Sequence, residues 1–378
     1  MDTQQKTTDP RLTALGTRLE SVDRHMVHLI ARRMRLAEQV AMIKLEAGLE
    51  LYRPQIEQDR LDDASKWAKE EGVNPEFARS MLYGLIGESC KRQIELTDRF
   101  RLQGNAEKFT PSREELRSNL LALTDAWAPR YDADYGKSHP ATAAFMRYER
   151  KIIDQTVPNV PEDGIVIDIG CATGRESRRL ASQFKAIHGL DLSERMIEQG
   201  RKTARDENIG NVSFDVTDAE NGLPFQSGSA SFVIMNGGTG SDMFELHPVL
   251  SEIQRVLKPH GKFVASFYNK EAWIQRAFMP WPLGLVAGID LHRSCLEVYS
   301  GSRLVPIHAK PYTSDEIESL LPSHLETLTS STYPAVSSIL PSEILKATGS
   351  EIIERLDERI AQDGTGLGAY VVVTGEKV

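Results

Sequence analysis

Between Leu12 and Lys44 the apolar positions Leu12, Leu15, Leu19, Val22, Met26, Leu29, Leu36 and Val40 fall on alternating steps of three and four. That spacing predicts one long amphipathic helix over residues 11–47 that buries a single stripe. One member of the series is a cation, Arg33, set where a leucine belongs. Two more helical patterns follow, from Pro54 to Glu71 and from "GVNP" to Leu102, with Asn74 suited to the N-cap and Pro75 to the first helical position. The stripe of the third begins with Met81 and Leu85 and continues in polar groups, Ser89 and Gln93. No stretch of this region reads as a strand.

Near residue 105 the pattern changes. "QGNAEKFTPSREE" reads as a linker followed by a helical lead-in. From Gly164 onward short β-rich runs alternate with helical ones: "GIVIDIG", "AIHGLDL", "VSFDVT", "SFVIMN", "KFVASFY" and "AYVVVTG". That alternation predicts a doubly wound α/β sheet. The expected architecture is multidomain: an all-α three-helix domain at 10–103, a linker at 104–129, and a Rossmann-like α/β domain at 130–378.

Composition narrows the picture only a little. A net charge of −9 over 378 residues argues against nucleic acid or a membrane surface as the main partner, since both call for basic patches. The polar start "MDTQQKTTDP" has no apolar core, and no apolar run reaches the roughly 18 residues of a membrane span. Cys90, Cys171 and Cys295 are too scattered for a disulfide framework or a metal spacing, so a cytoplasmic protein with no metal is expected.

The sharpest motif is "VIDIGCATGRES". A strand ends in Asp168, a turn follows through Gly170, Cys171, Ala172, Thr173 and Gly174, and a helix begins near Glu176. Glycines there let the backbone turn tightly and approach a ligand. The next strand ends in Asp191, placed to accept hydrogen bonds from ribose hydroxyls, and the third runs into Asp218, placed to meet an adenine amino group. A dinucleotide fingerprint has its second Gly at position 172, which here is Ala172, and that disfavours a dehydrogenase.

With these residues, 130–378 resembles a class I S-adenosylmethionine-dependent methyltransferase; "DIGCATG" matches the family's E/D-x-G-x-x-x-G motif. The resemblance implies S-adenosyl-L-methionine as cofactor. It implies a cofactor site of Asp168, Gly170, Cys171, Gly174, Asp191, Leu192, Met196, Asp218, Ala219 and Asn236. The chemistry is an in-line displacement at a sulfonium methyl, which needs alignment more than acid–base help. For a poor nucleophile, His247, Tyr268 and His292 are open candidates for a base, and the aromatic stretch 270–312 is either a cap over the acceptor or an ordinary packing insertion.

In the first region, Lys44 lies eleven residues after Arg33, on the same helix face. Arg53, Glu57 and Arg60 neighbour one another at helical spacing on the second helix. Several cations around a polar pocket in an apolar bundle call for a small di-anion, unless they pair with acidic neighbours or reach solvent. Residues 11–102 resemble the all-helical chorismate mutases, through "RLESVDRHMVHLIARRMRLAEQVAMIK", "YRPQIE" and "ESCKRQ". The resemblance carries over Arg33, Lys44, Glu57, Ser89 and Gln93 as catalytic residues, for electrostatic stabilisation of a pericyclic step. Two family arginines are missing: Gly16 and Ile56 stand in their places.

The joint expectation is a methyltransferase acting on a small molecule, aromatic or shikimate-derived, fused to a chorismate mutase-like domain with a partly degenerate site. That first domain either converts chorismate to prephenate or serves as a non-catalytic dimerisation or ligand-sensing module. A further branch of the superfamily carboxylates its cofactor with prephenate. Family members intertwine as dimers, so a homodimer through the helical domain is expected.

Overall fold

The computed structural model describes residues 9–46, 54–105, 111–135, 140–161, 164–276, 286–290, 294–300, 303–340, 345 and 350–378. The chain divides into two compact units, Met1–Phe109 and Thr110–Val378.

The first unit holds α1 (Pro10–Glu46), α2 (Pro54–Glu70) and α3 (Pro75–Asn105). Asn74 caps α3 as its sequence suggests: its Oδ1 accepts from the amides of Glu76 (2.9 Å) and Phe77 (3.2 Å), two donors a helix start leaves without partners. The helices α1 and α2 both pack on α3. Their shared core is Met34, Ala37 and Ala41 of α1, Leu61, Ala64 and Ala68 of α2, and Tyr83 and Ile86 of α3. Alanines at these seams let the helix axes approach closely.

The predicted stripe of α1 is helical but is not buried within the chain. Residues 11–29 are exposed throughout, and Leu12, Leu19 and Leu29 keep 62%, 64% and 54% of their surface. Only the last third of α1 meets α3, on the neighbouring face carrying Met34, Ala37 and Ala41. Met81 is likewise exposed, and Tyr83 and Ile86 fill the α3 core instead.

The second unit is a sheet covered by helices. Its strands are β1 (Ile165–Ile169), β2 (Ile187–Asp191), β3 (Val212–Val216), β4 (Ala230–Met235), β5 (Leu257–Tyr268), β9 (Leu325–Tyr333) and β10 (Tyr370–Lys377), in the order β3-β2-β1-β4-β5-β10-β9. The first five are parallel, and β10 runs antiparallel between β5 and β9. All six runs expected as strands are strands. The central β4, "ASFVIM", is buried at every position, as a strand with both faces covered must be.

The helices are α4 (Arg113–Trp127), α5 (Tyr131–Asp134), α6 (Pro140–Thr156), α7 (Arg175–Leu180), α8 (Glu194–Asp206), α9 (Thr239–Asp242), α10 (Leu246–Val256), α11 (Trp273–Arg276), α12 (Ser314–Leu320), α13 (Val336–Ile339) and α14 (Ser350–Gln362). The face with Ile167, Val233 and Phe263 packs on α10 through Val249, Leu250 and Ile253. The other face packs Phe232 and Val372 against Phe145 and Ile153 of α6.

A second antiparallel sheet, β6 (Val286–Asp290), β7 (Cys295–Ser300) and β8 (Arg303–His308), lies within the stretch 270–312, which its sequence leaves open between a cap and a packing insertion. Its Leu296, Val298 and Ile307 pack on Leu123 of α4, with Tyr268 at the margin. Residues 113–127, which fall in the span 104–129 expected as a linker with a helical lead-in, form a helix that belongs to the second unit. Ser112 caps that helix, accepting from the Glu115 amide at 3.1 Å, and Leu116 and Leu123 are buried.

Two glycines give opposite expectations. Gly174 has φ +71°, and a Cβ there falls 2.0 Å from the Phe214 ring. Gly174→Ala is expected to cost about 2–5 kcal/mol in urea unfolding, the sum of left-handed strain and overpacking. Gly16 lies in mid-helix with open space around it, so Gly16→Ala is expected to gain about 1 kcal/mol.

Candidate functional sites

In the first unit a pocket of about 290 Å³ opens between the three helices, lined by Arg33, Lys44, Arg60, Ser89, Cys90 and Gln93 with Leu36, Ala37, Val40, Ile56 and Ile86. Four of the residues singled out in the sequence thus meet on one wall: Arg33, Lys44, Ser89 and Gln93. Arg33 donates to the Leu85 carbonyl (2.5 Å) and to the Ser89 hydroxyl. Lys44 Nζ donates to Gln93 Oε1 at 3.3 Å. Ser89 and Gln93 are buried, at 5% and 7% exposure. The helix spacing explains the convergence: Ser89 and Gln93 are one turn apart on α3, facing the α1 turns that carry Arg33 and Lys44. Ile56 occupies the pocket wall where the resemblance expects an arginine, and Arg60, one turn on, reaches the same space. The side chain of Glu57, and Arg53 altogether, lie outside the described residues.

In the second unit the Gly-rich turn is built as its motif implies. Gly170 (φ +69°) and Gly174 both take the left-handed conformation. A Cβ on Gly170 falls 2.5 Å from Thr239 Cγ2, so the loop after β4 lies directly against the turn. Asp191, at the end of β2, fixes the turn: its Oδ2 accepts the Ala172 amide (2.8 Å) and its Oδ1 the Ser193 amide (2.9 Å). Burial pushes its carboxyl up, opposed by those amides and that of Leu192. Met196 and Ala219 are buried, at 1% and 6% exposure.

Asp168 is buried under the turn. Its Oδ2 accepts the Ser177 hydroxyl at 2.5 Å, and its Oδ1 has no hydrogen-bond partner among the described residues. Cys171 turns its thiol inward, packing with Ile197, Ala204 and Phe214, so only its backbone belongs to the turn. Asp218 accepts from the Glu220 amide (3.1 Å), Asn221 (2.9 Å) and Arg117 of α4. Asn236 sits at the end of β4, its carbonyl accepting from the Thr239 hydroxyl at 2.6 Å.

The structure adds residues that motif reading missed. The lead-in 113–135 folds onto the turn: Ser193 donates to Asp125 (3.0 Å), Thr173 to Asp132 (2.5 Å), and Arg178 to the other oxygen of Asp132 (2.6 Å). This brings Tyr131 and Tyr135 in, their rings stacked at 4.7 Å with the Arg175 guanidinium over both. Tyr268 and Tyr370, from the ends of the paired strands β5 and β10, lie 5.4 Å apart. Glu149 of α6 accepts the Gly237 amide at 2.9 Å. Asp242, the last residue of α9 after β4, has a buried Oδ1 without a partner among the described residues. Two signals pointed here: the i, i+4 tyrosines of "RYDADY" and the acid closing the glycine run "NGGTGSD". Of the candidate bases, Tyr268 joins this cluster, His247 is exposed on α10, and His292 lies outside the described residues.

Residues 162–297 match the family described as methyltransferase domain, and residues 15–94 match chorismate mutase type II. The chain therefore joins a chorismate mutase type II domain to a methyltransferase domain. A demethylmenaquinone methyltransferase of Symbiobacterium thermophilum is 31% identical over 159 residues, 41% of this chain and 61% of its own length. One of Clavibacter sepedonicus is 35% identical over 100 residues, 26% of this chain and 39% of its own. An aklanonic acid methyltransferase of a Streptomyces species is 33% identical over 107 residues, 26% and 47%. The chain thus spans 39% to 61% of the length of these relatives. Among the described residues no helix is long and apolar enough to cross a membrane.

The buried carboxyls set a pH dependence. Desolvation raises Glu149 to about 7, Asp168 to about 7 and Asp242 to about 8. Each binds its proton more tightly folded than unfolded, where carboxyls titrate near ~4. Their contribution to stability is complete below that value and is lost as pH rises through 7 and 8. The ligand-free protein is expected to melt several degrees lower at pH 8 than at pH 6 by scanning calorimetry, and an equal or higher melting point at pH 8 contradicts the assignment.

Proposed function

We propose that the second unit transfers a methyl group from S-adenosyl-L-methionine to a small aromatic, shikimate-derived acceptor, and that the first holds a small di-anion related to chorismate in a homodimer. One observation carries the reading: a left-handed glycine turn pinned by Asp191, above an Asp168 whose inner oxygen has no partner among the described residues.

The residues fit the cofactor. Asp191 keeps lone pairs for ribose hydroxyls, since each of its oxygens takes one described side of backbone donors. Leu192, Met196 and Ala219 offer apolar walls, and Asp218 a carboxylate at the adenine edge. Gly170, Cys171 and Gly174 offer backbone approach, and Asn236 closes the far side. Asp168 offers its spare oxygen to a cation, which compensates the cost of burying that carboxylate. When bound, S-adenosyl-L-methionine supplies an electrophilic methyl on a sulfonium; the residues around it position the acceptor and exclude water. The names of the relatives, a demethylmenaquinone methyltransferase and an aklanonic acid methyltransferase, support a ring-bearing acceptor.

In the first unit Arg33, Lys44 and Arg60 supply cations and Ser89 and Gln93 neutral donors around apolar walls, a combination that suits a ring carrying carboxylates. Retention of this wall favours a live pocket; Gly16 and Ile56 favour weak turnover or binding alone. The exposed stripe Leu12, Leu15, Leu19, Val22, Met26 and Leu29 runs about 25 Å along α1, and a second copy of the same helix is the cover that suits it.

Calorimetric titration with S-adenosylhomocysteine is expected to show one site per chain, weakened on the order of tenfold or more by Asp191→Asn, the loss of one charge-assisted contact; wild-type protein that does not bind overturns the transferase reading. In the first unit Ile56→Arg is expected to tighten chorismate about ten- to a hundredfold by adding such a contact, read by chorismate absorbance and binding. Leu19→Glu with Met26→Glu is expected to convert the dimer to monomer in sedimentation.

A further inference from the structure

Helix α4 carries three polar side chains to the two loops that follow β2 and β3. Arg113 pairs with Glu220; Arg117, one turn on, pairs with Asp218; and Asp125, about two turns further, accepts the Ser193 hydroxyl at 3.0 Å. The Ser193 amide in turn donates to Asp191 Oδ1 at 2.9 Å. So α4 is bonded to the loop that carries Asp191 and to the loop that carries Asp218. The helix is also held independently of these bonds. Leu123 packs on Leu296, Val298 and Ile307, and Asn119 donates to the Pro306 carbonyl at 2.8 Å. An ion pair between two mobile surface side chains orders little. Arg117 differs, because it springs from a backbone fixed by this packing, and its side chain and that of Asp218 keep only 34% and 17% of their surface.

The two oxygens of Asp218 are loaded unequally. Oδ2 accepts from Arg117 and from Asn221 (2.9 Å), whereas Oδ1 accepts only the Glu220 amide (3.1 Å) among the described residues. A carboxylate oxygen offers two lone pairs, so Oδ2 is filled and Oδ1 keeps one open. We propose that Arg117 is a positioning residue for cofactor selection: by occupying Oδ2 it aims the open lone pair of Oδ1 at the amino group of an adenine, so that α4 reads the base through Asp218. The proposal rests on the methyltransferase reading above and adds to it a residue of the lead-in helix. A purine with a carbonyl in place of the amino group sets an acceptor against an acceptor and leaves that lone pair unpaired, which the site rejects. Without the guanidinium, Oδ2 keeps Asn221 alone, the carboxylate turns more freely, and the discrimination falls. Arg113 has a different part. Its partner Glu220 is committed to the amides of Phe244 and Glu245 (3.1 Å), so Arg113 fastens the loop and does not aim Asp218.

The test titrates the full chain by calorimetry with two ligands, S-adenosylhomocysteine and S-inosylhomocysteine, whose base carries a carbonyl where adenine has its amino group. The wild type is expected to prefer S-adenosylhomocysteine by about tenfold or more. Arg117→Met keeps the apolar stem that packs along the helix, and it is expected to cut that preference about threefold or more. Arg117→Lys keeps most of the preference, and Arg113→Ala keeps all of it. In an Asp218→Asn background Arg117→Met is expected to change the preference no further, since the two residues act as one unit. An unchanged preference in Arg117→Met, or an equal loss of affinity for both ligands, makes Arg117 a helix fastener and overturns the proposal alone. A further fall in the Asp218→Asn background shows that Arg117 acts elsewhere and overturns it too. Wild-type protein that binds both ligands equally removes Asp218 from the adenine edge, and the proposal with it. Wild-type protein that binds neither overturns the methyltransferase reading and the proposal together.

Discussion

A carboxylate buried without enough partners is among the costliest things a fold can keep, and the second unit keeps several around one glycine turn. Asp168, Asp191, Asp242 and Glu149 are all raised above their ordinary range, with desolvation the leading cause in each. The sheet makes this arrangement possible. Parallel strands end on one edge, so β1 delivers Asp168, β2 delivers Asp191, and the loop after β4 delivers Asp242 to the same rim. Gly170 and Gly174 then let the backbone pass between Thr239 and Phe214, where any side chain collides. Negative charge assembled at such cost stands ready for a positive ligand, and a sulfonium beside an ammonium is one.

Around that rim the lead-in helices act as part of the site. Arg178, 9% exposed, ties Asp132 and Glu207 together at 2.6 and 3.0 Å, which fastens α5 to the turn. This tie places Tyr131 and Tyr135 beside the strand-end tyrosines. The small β6–β8 sheet packs on α4 through Leu123. The first unit follows a different economy. Its pocket keeps cations on one wall, with neutral donors to hold them, and accepts an isoleucine where charge is expected. Its longest helix leaves its apolar stripe, Leu12 to Val40, exposed among the described residues.

Much of this was legible before any coordinates. The alternation after Gly164 carried the strands, because each is short, β-branched and bounded by turn residues. "DIGCATG" carried the turn, because only glycines meet its backbone angles. Arg33, Lys44, Ser89 and Gln93 were readable from helical spacing alone. Other features were hidden by kind. Helix α4 is legible as a helical lead-in, but that it joins the second unit, with Leu116 and Leu123 buried, is not, because the residues Leu123 packs on are far along the chain. Asp242, Glu149 and Arg175 come from distant segments, and only the tertiary fold brings them together. The α1 stripe is apolar, yet periodicity says which face wants cover and not which molecule supplies it.

The central claim is that the carboxylates at the rim are raised by burial and await a cation. Titration calorimetry of S-adenosylmethionine at pH 7, repeated in two buffers of different ionisation enthalpy, tests it most directly. Binding of the cation is expected to release protons to the buffer, and S-adenosylhomocysteine, which lacks the sulfonium charge, is expected to release fewer. Equal release for the two ligands, or none for either, contradicts the account.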